Sequence, residues 1–115
     1  MRQFAEWDLL RMQREQYLHD RRNHADVMSL PRGDRLKHYG LHFAKYVGRL
    51  ARSLDEVPEH RTPVDVLLIA LSAANTLQIN LATTNLRPTV GIGDDLRRFA
   101  DAVGRFADAC EKIDH

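Results

Sequence analysis

The sequence has little cysteine: Cys110 is the only one among 115 residues. A single thiol cannot form an intrachain disulfide, so a disulfide-rich secreted scaffold and a cysteine-based zinc cluster are excluded. Excess charge is missing as well, because 17 lysines and arginines against 16 acids give a formal net charge of +1. This balance provides no global attraction to nucleic acid or anionic lipid, so any anion site has to be local.

Long apolar runs are also missing. The longest strongly apolar stretch is 66–71, followed by small residues, and it falls far short of the roughly 20 residues that span a bilayer. Acidic residues near the start of the sequence interrupt any apolar stretch of the length that an export signal needs. Four prolines and six glycines are too few for a disordered or fibrous chain. We therefore expect one globular domain over residues 1–115, in the cytoplasm, with neither a nucleic-acid nor a membrane partner.

Apolar residues recur at spacings of three and four in four blocks, which predicts an all-α fold, either a four-helix bundle or two helical hairpins. Thr62 and Pro63 are typical of an N-cap and a first helical residue. The last block repeats apolar residues from Leu96 to Ile113, a seam that fits either the core or a dimer surface. The predicted helices cover about 3–24, 34–54, 62–81 and 95–113.

A stripe of potentially cationic residues lies beside the apolar face of the second predicted helix: His38, His42, Lys45 and Arg49. At 100° per residue these four lie within about 60° of one another. The stripe is either a solvated face or an anion site in which charge-assisted hydrogen bonds hold phosphate or carboxylate. His38 and His42 have the i, i+4 spacing of shared metal ligands, but no acid on the same face completes a set.

A second stripe lies on the third predicted helix, where Asp65, Ser72 and Thr76 align on one side and Asn75 sits at its edge. A carboxylate in the first turn suits the positive end of the helix dipole, which gives Asp65 a structural role. A partly buried carboxylate without a partner is costly, so we also expect Asp65 to pair with Lys45 or Arg49 across the helix pair.

Three segments, 43–51, 64–69 and 74–81, together resemble the MazG-like all-α NTP pyrophosphohydrolases. In that family the second helix carries Glu-Glu-x-x-Glu, and the third carries Glu-x-x-Asp before an apolar stretch and an Ala-Asn pair. The resemblance covers roughly residues 10–82, and Gly48, Asp65 and Asn75 fit it. It implies a MazG-like helical fold that assembles as a homo-oligomer, either a dimer or a tetramer.

The acidic motif of that family is largely replaced. Lys45 and Tyr46 stand at the positions of the paired glutamates, Arg49 at the third and Thr62 at the fourth, which leaves only Asp65. Family members use these carboxylates to hold Mg²⁺ against the triphosphate, since a hard dication prefers oxygen ligands. Lysine and arginine repel such an ion, and we expect them to take over its positive charge.

The resemblance and the replaced acids lead to one favoured function and two alternatives. We expect a non-catalytic, oligomeric module that binds a nucleotide or another phosphate ligand through Lys45, Arg49, Asp65 and Asn75, with no cofactor. The first alternative is an active nucleotide pyrophosphohydrolase or phosphate-ester hydrolase, with His38 or His42 as general base and Mg²⁺ retained at Asp65. The second is a helical interaction module without a ligand, whose last helix docks another chain.

Overall fold

Five helices make up the computed structural model, which describes residues 6–55, 60–84 and 92–113. The all-α prediction is confirmed, and each of the four predicted helices is present. The additional helix is a single turn, which lies between the first two predicted helices. None of the helices in the described ranges has the length and apolar composition needed to cross a bilayer. The helices are α1 (Glu6–Asn23), α2 (Ala25–Met28), α3 (Arg32–Ser53), α4 (Arg61–Thr76) and α5 (Ile92–Lys112).

Helix α4 begins one residue earlier than its predicted cap. Arg61 is its first residue and His60 its N-cap, and no side chain caps the first turn. Thr62 lies inside the helix and is fully buried, and its hydroxyl has no hydrogen-bond partner among the residues described. The prediction that Thr62 is the N-cap is therefore wrong, because burial and not capping decides where this side chain lies.

The other end of α4 comes about five residues before the predicted one. Gln78 has a φ of 58°, which ends the helix in the left-handed conformation. Its backbone N–H donates to the carbonyl of Asn75 at 3.1 Å, and the N–H of Ile79 donates to Ala74 at 2.9 Å. These two bonds form a Schellman motif, which satisfies carbonyls that a helix end leaves free. The prediction of helix to Leu81 is wrong for this reason.

Helix α3 packs against two of the other long helices. It contacts both α4 and α5, and α1 packs against α4. Its inner face includes two tyrosines, Tyr39 and Tyr46, which are buried, whereas Leu54, at the C-cap of the helix, is 74% exposed. Six residues form the buried core cluster: Leu36, Tyr39, Phe43, Tyr46, Ala73 and Cys110.

The apolar seam of α5 belongs to this core. Phe99 and Phe106 present their rings edge-on to Phe43, at centroid distances of 6.3 and 5.5 Å. Val103 packs on the same cluster, and Cys110 is part of it. Burial raises the pKa of the Cys110 thiol, as expected for a packing residue. Of the two readings left open by the sequence, the structure places the seam in the core, against α3.

Candidate functional site

A pocket of about 280 Å³ lies between α1, α2, α3 and α4. Four of the six histidines of the chain line it, and we call it the histidine pocket after these residues: His19, His24, His38 and His42. The sequence singled out only the pair on α3. The pair at the end of α1 comes from the other side of the break at Pro31, so the pocket forms only when these helices pack together.

His38 and His42 form one wall of the pocket. Their Nε2 atoms are 3.1 Å apart, within hydrogen-bond distance, and their rings meet edge to face. A hydrogen bond between two ring nitrogens needs one donor and one acceptor, so the bonded pair carries at most one positive charge. Burial, followed by the nearby charge of Lys45, lowers the pKa of His42 below its usual value. Its Nδ1 atom is buried without a hydrogen-bond partner in the described structure.

The two basic residues of the predicted stripe, Lys45 and Arg49, lie over the ring of Tyr46. The Lys45 ammonium lies 5.2 Å from the ring centre of Tyr46, and the Arg49 guanidinium lies 5.9 Å from it. Neither residue lines the histidine pocket. All four residues of the predicted stripe lie on α3, but only the two histidines line the histidine pocket, whereas Lys45 and Arg49 make cation–π contacts with Tyr46.

Asp65 lines the histidine pocket from α4, but its partner is not the predicted one. Its carboxylate accepts a hydrogen bond at 3.0 Å from Nε of Arg61, which also lines the pocket. The expected pair with Lys45 or Arg49 is therefore wrong. Arg61 precedes Asp65 by four residues on the same helix, a spacing that brings the two side chains together without any interhelical contact. Asp65 also raises the pKa of Tyr46, an effect second to burial.

Asp20 is the second carboxylate of the histidine pocket, and the sequence analysis missed it. It is 6% exposed, and it accepts hydrogen bonds from the Ser72 hydroxyl at 2.6 Å and the Gln16 amide at 3.0 Å. Ser72, predicted to face the same side as Asp65, is thus a donor that joins α4 to α1. The sequence does contain a signal for this part of the pocket: His19 and Asp20 are adjacent, and His24 follows Asp20 by four residues, just after the end of α1.

Asn75 lies outside the histidine pocket. It joins α4 to α1 through Gln13: its Oδ1 accepts from the Gln13 amide at 3.0 Å, and its Nδ2 donates to the Gln13 carbonyl at 2.9 Å. Thr76, the last residue of the predicted stripe, is buried next to Tyr39 of α3. Both side chains therefore hold helices together.

Mg²⁺ does not fit the position that the MazG resemblance implies. A hard dication takes several oxygen ligands, usually with two or more carboxylates from the protein. The only carboxylate retained there is Asp65, and Arg61 already holds it. Within residues 6–55, 60–84 and 92–113, no group of three potential ligands includes Asp65.

A different group of donors does converge in the histidine pocket. His19, Asp20 and His24 each offer one ligand atom, and these atoms all lie within 4.8 Å of one another. Imidazole nitrogen and carboxylate oxygen are ligands of transition metals, above all of Zn²⁺.

No protein-family model matches this sequence, and neither a curated protein nor a solved structure shows significant similarity to it.

Proposed function

We propose that this chain is a MazG-like helical module, with the four long helices as its bundle, that binds a small phosphorylated ligand in the histidine pocket without hydrolysing it. The observation that carries the proposal is the 3.0 Å pair of Arg61 with Asp65. It neutralises the one acid that the family motif retains, at the position where relatives would gather a metal ion.

Loss of magnesium chemistry follows from what surrounds that pair. Tyr46 stands beside Asp65 where the family has a glutamate, and Lys45 and Arg49 place two fixed positive charges over its ring. Fixed cations repel a dication, and a single paired carboxylate cannot replace a set of acids.

Phosphate binding is supported by the donors that line the histidine pocket. Arg61 offers a guanidinium, and the hydrogen-bonded pair of His38 and His42 keeps at least one ring N–H beyond the one that joins the two rings. The two carboxylates, Asp20 and Asp65, already accept hydrogen bonds from protein groups. These hydrogen bonds partly offset the negative charge of the two carboxylates, and charge-assisted hydrogen bonds from a guanidinium to phosphate are strong ones. A volume of about 280 Å³ suits a small phosphorylated compound.

Self-association and a cytoplasmic location are further parts of the proposal. MazG-like proteins assemble as dimers or tetramers, and α1 and the end of α4 expose large apolar side chains. Tyr17, Leu18 and Ile79 are 42%, 57% and 42% exposed, and all three line one open groove. Burial of such a groove between copies would remove apolar area from water. The seam of α5 does not serve this purpose, because it packs on α3.

A nucleotide panel tests the proposal. The purified chain is incubated with nucleoside triphosphates, with and without Mg²⁺ or Mn²⁺, and both pyrophosphate release and the melting temperature are measured. We expect no release, together with a melting temperature that rises with ligand concentration. Metal-dependent release of pyrophosphate would favour the hydrolase alternative. A stable oligomer whose melting temperature no phosphate compound changes would favour the interaction module.

A further inference from the structure

Helix α1 ends in a way that brings three metal-binding side chains together. His19 and Asp20 lie in its last turn and a half, and the helix ends at Asn23. His24 follows with φ −132° and ψ 44°, outside the helical region. The rings of His19 and His24 then meet edge to face, with centroids 5.5 Å apart. Consecutive residues on a helix point about 100° apart, so the break after Asn23 helps to direct all three donors to one place.

The carboxylate of this group is held in position by its neighbours. The Ser72 hydroxyl binds one oxygen of Asp20 at 2.6 Å, and the Gln16 amide binds the other at 3.0 Å. Each carboxylate oxygen has a second lone pair available for a metal. Hydrogen bonds that orient a ligating carboxylate are typical of metal sites and contribute to their affinity.

The spacing of the donors fits a metal ion after a small movement. Ligands at about 2.0–2.2 Å from a tetrahedral Zn²⁺ lie about 3.4 Å from one another, whereas the three atoms here lie within 4.8 Å. His19 and His24 are both exposed, so their rings have room to turn inward while Asp20 stays fixed. For His19 this movement competes with the 3.1 Å contact between its Nδ1 and the exposed amide of Asn23. A contraction of at most about 1.4 Å is therefore sufficient.

We propose that His19, Asp20 and His24 bind a divalent transition metal ion of the Zn²⁺ class, with the fourth coordination position open toward the histidine pocket. Two imidazoles and one carboxylate favour Zn²⁺ over Mg²⁺ or Ca²⁺, which require mostly oxygen ligands. Three protein ligands and one open position form the arrangement that zinc sites use to bind a water or a small ligand. The metal site does not depend on phosphate binding, since all three donors belong to the protein.

Metal titration of the purified, tag-free full-length chain tests this site. After treatment with a chelator, the protein is titrated with Co²⁺, whose visible spectrum reports tetrahedral coordination, and then with Zn²⁺ in competition. The same titration is done with His24→Gln, Asp20→Asn and His38→Gln. His60→Gln is the matched control, because His60 is exposed and lies outside the histidine pocket. Circular dichroism confirms that each variant is folded.

We expect one ion per chain, displaced by Zn²⁺, and binding at least about tenfold weaker in His24→Gln and Asp20→Asn, the size of change that even supporting residues of metal sites produce. His60→Gln should bind as the wild type does. If Asp20→Asn fails to fold, His24→Gln decides the question, because His24 is exposed. The proposal is overturned if the wild type binds no Co²⁺ or Zn²⁺, or if His24→Gln binds as tightly as the wild type. Loss of binding in His38→Gln alone would also overturn it, by moving the site to α3.

Discussion

The hydroxyl of Ser72 donates a 2.6 Å hydrogen bond to the carboxylate of Asp20 and so links α4 to α1 inside the protein. Both residues are buried, at 2% and 6% exposure. A charged group this far from water is stable only when its hydrogen bonds are made. This contact therefore stabilises the packing of two helices and also fixes a wall of the histidine pocket.

We expect Ser72→Ala to lower the free energy of unfolding by about 1–3 kcal/mol, because it leaves a buried carboxylate with one donor fewer. Urea denaturation of the metal-free protein measures the change. Ser29→Ala is the matched control, since the Ser29 hydroxyl is exposed and donates only to the carbonyl of Asp26. That control should change stability by no more than about 0.5 kcal/mol. Equal effects of the two substitutions would contradict the role given to the Ser72 hydroxyl.

Gln13 has a comparable role at the other end of α4. Its buried amide donates to Asn75 Oδ1 and to the carbonyl of Ile79, and it accepts from the N–H of Leu81. Gln13→Ala should therefore destabilise the protein by about 2–3 kcal/mol, because several buried groups lose their partner together.

A double-mutant cycle with Asn75→Ala separates this link from general loss of packing at Gln13. The two residues are in direct contact, so we expect a coupling energy of about 0.5–3 kcal/mol in equilibrium denaturation. Additive effects of the two substitutions would show that the network does not act as a unit.

A substitution at Gln78 is expected to raise the stability of the protein, unlike the substitutions above. Its φ of 58° costs a residue with a Cβ about 1–2 kcal/mol, whereas glycine adopts this conformation readily. We expect Gln78→Gly to raise the stability by about 0.5–1 kcal/mol, since the greater freedom of glycine in the unfolded chain offsets part of the gain. Gln78→Val, measured in the same denaturation series, should lower it because β-branched side chains tolerate this region poorly. A glycine variant less stable than the wild type would argue against this backbone conformation.

The lowered pKa of His42 predicts a pH dependence of stability. Burial is the main cause, and the cations that add to it are Lys45, His38 and Arg49 on α3 and His24 beyond α1. In the unfolded chain the imidazole binds a proton near its usual pKa of 6.5, whereas in the folded protein it does so only at lower pH. Stability should therefore fall as the pH drops below about 6.5, and the loss should be complete below the folded pKa.

Melting temperatures of the chelator-treated protein between about pH 8 and pH 5 measure this dependence. His42→Gln should flatten the acid side of the curve, because glutamine takes up no proton there. The control His60→Gln, at an exposed histidine, should keep the shape of the wild-type curve. The same slope in His42→Gln and the wild type would assign the pH dependence to other groups.

The helices could be predicted because their apolar periodicity is strong. Periodicity did not identify Tyr39 and Tyr46 as core residues of α3, yet both are buried. Periodicity also showed which residues of α5 share a face, but not what covers it. That required the structure, in which Phe43 meets Phe99 and Phe106.

The histidine pocket could be predicted only in part. His38 and His42 were selected because they share one helix face, where spacing alone determines their proximity. His19 and His24 reach the same pocket from the end of α1. Spacing along the sequence does not determine how the end of α1 packs against α3, because the two helices are separated by the break at Pro31. The pairing of Asp65 illustrates the opposite error, because a partner four residues away on its own helix was passed over for one on another helix.

The location of bound phosphate tests the central claim most directly. Inorganic pyrophosphate is titrated into the ¹⁵N-labelled, metal-free chain, and amide and imidazole resonances are followed by NMR. We predict saturable shifts centred on His38, His42 and Arg61, the donors of the histidine pocket. The absence of shifts at millimolar pyrophosphate, or shifts confined to Lys45 and Arg49, would contradict this account.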